Sequence, residues 1–127
     1  MTNKIDITES LPRNQWSDFF DQFSENNRGR HIVIESISSE LGDEELIQNA
    51  PLMAIVYDRP GKGNDLMIEV GQEEVTYAHT VDAPTEISMG RDSDGQVVAI
   101  WIGDAAGAKT LIKLRAVSYT HLRAHET

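Results

Sequence analysis

His79 is the residue whose type and placement most invite chemistry. It alternates with Val75, Tyr77 and Val81 in a stretch of period two, so the four side chains share one strand face. An imidazole there can contact a ligand or pass a proton near neutral pH. Glu86 follows closely and would orient it if adjacent strands pair that way. Tyr77, His79 and Glu86 are therefore the candidate ligand-binding set, the basis of a reading as a small-molecule binder or hydrolytic enzyme. The commoner role for a lone histidine on a largely apolar face is structural, satisfied at the core or its rim.

Arg28, Arg30 and His31 form the densest basic patch in an acidic chain. They suit contact with an anion or an acidic partner peptide. Cations near a helix C-terminus also favour the helix dipole without any ligand.

Other spacings fall short of known sites. Lys62 lies between Gly61 and Gly63, but a phosphate loop needs Gly-Lys followed by Ser or Thr opening a helix, and here Asn64 and Asp65 lead into a strand pattern. Asp92, Asp94 and Gly95 share the start of a calcium loop, whose later oxygen ligands and closing Glu are absent. Both stretches read as turns. With no cysteine, there is no disulfide, thiolate nucleophile or thiolate metal site. No Ser-His-Asp order or paired-carboxylate signature is recognisable. The reading therefore assigns no catalytic residue, metal ligand or cofactor, and leans away from an enzyme.

His121 and His125, four apart, would share a helix face. They are set aside, because residues 117–127 back-translate in one frame to a string resembling the adapter of transposon-based library preparation. Ala116 is mostly accounted for by the same string. The expectation is a non-native tail over 116–127 on a chain cut short of its natural C-terminus.

At 127 residues the chain suits one domain, with 39% apolar and 25% charged residues, as in a folded globular protein. The formal charge of −10 argues against binding phosphate backbones or anionic membranes. The N-terminus lacks a signal-peptide pattern, and no apolar run approaches the roughly 20 residues of a membrane span. The expected compartment is the cytoplasm.

The supporting elements are legible in outline. Trp16, Phe19, Phe20 and Phe23 have the spacing of one helix face, predicting a helix over 12–26 with Pro12 in its first turn. Strands are expected at 31–37, 52–57, 66–70, 74–81, 85–89, 97–102 and 110–114, separated by Gly-, Pro- and Asp-containing turns. Residues 38–49 read as a loop or a helical turn. The strands 52–57 and 97–102 are apolar on both faces, so both sheet faces need cover there, and the aromatic helix can supply one. The fold class is α+β: an N-terminal helix on an antiparallel meander of six to seven strands, with scope to curl into a partly open barrel. The domain is placed at 12–115, after an extension over 1–11.

The run from Pro12 to Arg115 resembles a small prokaryotic family of unknown function, DUF5335. Its opening Pro, Trp and Phe helix ending in Phe-Ser is similar to Pro12, Trp16, Phe19, Phe23 and Ser24, with one residue more between Pro12 and Trp16. Its His-Thr-Ile and Pro-Thr are similar to His79, Thr80, Val81, Pro84 and Thr85. A closing Gly-x-x-Thr-Leu-Leu strand resembles Gly107, Thr110, Leu111 and Ile112. The resemblance implies no activity. The leading functional reading is an accessory domain that binds a partner protein or small ligand without catalysis, and a structural homodimer through sheet edges is a third reading.

Overall fold

The computed structural model describes residues 5–40 and 42–115. A 3-10 turn at Arg13–Gln15 leads into helix α1, Trp16–Asn27, close to the predicted span. Its apolar stripe is buried at Trp16, Phe20 and Phe23. Trp16 Nε1 donates to the Leu11 carbonyl at 2.8 Å, so burying the indole costs no hydrogen bond. The helix ends where Asn27 Nδ2 donates to the Phe23 carbonyl and Gly29 takes a positive φ of 92°.

Eight strands follow the order β1-β6-β7-β8-β2-β3-β4-β5 in one antiparallel sheet. They are β1 Ile7–Ser10, β2 His31–Ser38, β3 Gly42–Asp58, β4 Asp65–Gly71, β5 Val75–Asp82, β6 Pro84–Arg91, β7 Val97–Asp104 and β8 Lys109–Leu114. A mostly antiparallel sheet with one helix agrees with the expected class in outline, but among the described residues the sheet is not a closed barrel and has eight strands rather than six or seven. Nor is it a simple meander. β2 to β5 pair in sequence and so do β6 to β8, but β5 and β6 do not pair, and β8 returns to lie beside β2.

Two strand expectations are corrected. Of residues 38–49, expected as a loop or helical turn, 42–49 supply the first part of β3, which pairs with β2 from Gly42 to Pro51. This stretch is largely exposed and crosses two register shifts, so the alternation that marks a half-buried strand is missing. Ile7–Ser10, placed in the N-terminal extension, forms β1 on the outer side of β6. With all four residues exposed, it carries no apolar signal.

β3 changes partners at its midpoint. Up to Pro51 it pairs with β2, and from Leu52 it pairs with β4. Pro51 lies at that exchange, where a missing N–H is tolerated. The β4–β5 connection needs Gly71, with φ at 145°, because a Cβ there would stand 2.1 Å from the Glu74 carbonyl oxygen. The core lies between the curled sheet and α1, and joins Trp16, Phe20 and Phe23 to Ile34, Ile68, Ile87, Ile100 and Ile112. The outer face differs: Ile5 lies over Gly90 of β6, and Trp101 of β7 is only partly buried.

The proposed tail, with His121 and His125, lies outside the described residues. Among the described residues no helix is long and apolar enough to cross a membrane.

Candidate functional site

His79 pairs with buried Ile68, Tyr77 with buried Val70 and Val81 with buried Leu66, so these three side chains face the core as the alternation predicted, whereas Val75, expected beside them, lies past a register shift opposite Gly71 and is exposed. His79 Nε2 lies 3.4 Å from Thr110 Oγ1 on β8. Thr110 is one of two buried polar residues among the described residues, so this contact gives a buried hydroxyl a partner. Loss of water around the half-buried imidazole disfavours its charged form and lowers its pKa below the usual value. Thr110 was not singled out as a partner, since nothing in linear spacing ties β5 to β8.

Glu86 does not join this pair. It pairs with Gly103 and neighbours the core residue Ile87, so it belongs to the opposite face of the sheet. Its side chain lies over Gly103, in a shallow recess that it shares with Thr8, Ser88, Trp101 and Lys109. A strand wall therefore separates the carboxylate from the imidazole it was expected to orient. Tyr77 and His79 remain together, and Glu86 stands apart.

The basic trio also disperses. Arg30 donates from Nε and Nη2 to the Arg115 carbonyl, and from Nη1 to Asn27 Oδ1 and the Val97 carbonyl. It fastens the helix end to β7 and to the end of β8. His31 Nδ1 lies 3.1 Å from Asn49 Oδ1, while Arg28 borders a different recess beside Gly71 and Glu73. The two rejected motifs are turns. The backbone N–H groups of Lys62 and Asn64 donate to the Arg59 carbonyl, and Asp92 Oδ1 accepts from those of Asp94 and Gln96.

A different feature emerges from the sheet edges, which carry unpaired backbone groups wherever a strand has one neighbour. The β1 edge is four residues long and runs into Leu11-Pro12, with Glu9 paired to Arg91 at 2.7 Å. The second half of β3 is closed by α1: Ser24 Oγ accepts from the Ile55 N–H at 2.8 Å and donates to the Ile55 carbonyl at 3.1 Å. β5 is eight residues long, pairs only with β4 among the described residues, and has no Lys, Arg, Glu or Pro. Thr76, Ala78 and Thr80 are exposed along it, as is Val75. This edge went unrecognised because strand order cannot be read from spacing.

A family model described as "Family of unknown function (DUF5335)" matches residues 7–121. An uncharacterized protein of Aquifex aeolicus (strain VF5) is 27% identical over 108 residues, covering 85% of this chain and 92% of that relative. No solved structure matches the chain.

Proposed function

We propose, for a chain that belongs to the family of unknown function DUF5335, that it is a non-catalytic binding module whose partner adds an extended segment to the outer edge of β5. The observation carrying this reading is the contrast among edges. Length, charge and proline blunt the β1 edge, the first half of β3 carries Asp43, Glu44 and Glu45, Ser24 closes the edge of its second half, and β5 has no Lys, Arg, Glu or Pro along it. Main-chain hydrogen bonds along such an edge supply affinity, and alternate side chains supply selectivity.

Charge favours a foreign segment over a second copy. Glu73 and Glu74 precede the strand and Asp82 ends it, so a segment with Lys or Arg at its ends is complementary. A second copy brings the same −10 charge, and a two-fold axis at Ala78 sets Glu74 against Asp82. The catalytic alternative with Tyr77, His79 and Glu86 gains no support, since its carboxylate and imidazole occupy opposite faces.

Selection of peptides displayed from a host proteome tests the reading, using the wild type and Ala78→Lys. The expected result is enrichment of extended segments with basic ends, with binding weakened about tenfold or more by a lysine guard on the edge. Segments that bind Ala78→Lys equally well, or failure to enrich any, would contradict it. Doubled mass in light scattering without a partner would assign the edge to a second copy.

A further inference from the structure

We propose a second binding site, independent of the β5 edge, that takes a phosphate monoester with a flat organic part in a recess between the start of α1 and the β3–β4 turn. The recess has a volume of about 480 Å³ and is lined by Arg13, Asn14, Ser17, Tyr57, Arg59 and Pro60. That volume lies within the range usual for small-molecule sites. The chain has 21 carboxylates against 11 lysines and arginines, yet two arginines and no carboxylate line this recess. Asp18, the acidic residue in the first turn of α1, borders a neighbouring recess instead. Asp58 is exposed and follows buried Tyr57, so strand alternation turns it to the other face.

Arg13 is held in position. Nη1 donates to Tyr57 Oη at 3.2 Å and Nη2 to the Pro84 carbonyl at 3.0 Å, while the guanidinium carbon lies 4.4 Å from the centre of the Trp16 ring. Those bonds use two of the five N–H donors of a guanidinium, leaving three for a ligand. Arg59, Asn14 and Ser17 have side chains with no hydrogen-bond or ion-pair partner among the described residues. The recess near Arg30 and Arg91 differs on this point. There Arg30 is tied to carbonyls and Asn27, and Arg91 to Glu9 and the Gly95 carbonyl.

Two guanidinium groups match a dianion, and the forked N–H geometry suits phosphate oxygens. The Ser17 hydroxyl and the Asn14 amide add neutral donors. Tyr57 and Pro60 offer apolar surface to a flat group attached to the phosphate.

Titration of the full chain with phenyl phosphate, inorganic phosphate and phenol tests the site, followed by calorimetry and amide chemical shifts. The expected result is saturable binding of phenyl phosphate, weaker binding of inorganic phosphate and none of phenol, with shifts at Asn14, Ser17 and Arg59. Arg59→Gln should weaken phenyl phosphate by about tenfold or more, the usual scale of a charged hydrogen bond, and leave thermal unfolding unchanged. Arg59→Lys should recover part of the loss. No saturable binding at millimolar probe, or equal binding by Arg59→Gln, would overturn the site; inorganic phosphate binding as tightly as phenyl phosphate would overturn the assignment of an organic part.

Discussion

His79 ties pH to stability through its burial. Its half-buried imidazole has a pKa below 6.5 because burial disfavours the charged form. As pH falls through about 6.5 the unfolded chain takes up a proton that the folded chain still refuses. The contribution is therefore complete above that value and is lost as pH drops toward the lowered folded pKa. His79→Gln removes the titration and retains an amide near Thr110. Urea unfolding at about pH 7.5 and about pH 5.5 should show a smaller loss for the variant than for the wild type. An equal loss in both would mean that His79 is not the group responsible. The face occupied by this residue was legible, because alternation with Tyr77 and Val81 is local, while the register shift that exposes Val75 left no mark in the spacing. Its partner was not, since Thr110 arrives from a strand that reaches β5 only through the tertiary fold.

At the scale of elements, Ser24 joins α1 to the sheet. Its hydroxyl both accepts from and donates to Ile55, so Ser24→Ala leaves a strand donor and acceptor without their partner. The expected cost is about 1–3 kcal/mol, measured by urea unfolding, with faster exchange of the Ile55 amide. A change within a few tenths of a kcal/mol would mean that water replaces the hydroxyl freely. The helix itself was readable from four aromatic residues in a 3.6-residue pattern, and most strands from β-branched runs between turn residues. β1 and the first part of β3 were not, because exposed strands have no apolar face to imprint a period. Pairing was less legible still. Glu86 looked like a neighbour of His79 along the chain, but the turn through Ala83, with φ at 50°, sends β6 to another part of the sheet.

Among the described residues, one curled antiparallel sheet and one helix bury a common core and leave β5 as an eight-residue edge without Lys, Arg, Glu or Pro. Glu73, Glu74 and Asp82 flank that edge in a chain of formal charge −10, so capture of a segment with basic ends should weaken as salt is raised. Backbone amide hydrogen exchange, read residue by residue in the free chain and with a selected peptide bound, tests the central claim most directly. Ile55 should exchange slowly throughout. The outward amides of Val75–Asp82 should exchange fast in the free chain and slow when the peptide binds. Uniformly slow β5 amides in the dilute free chain, or peptide protection confined to other strands, would contradict it.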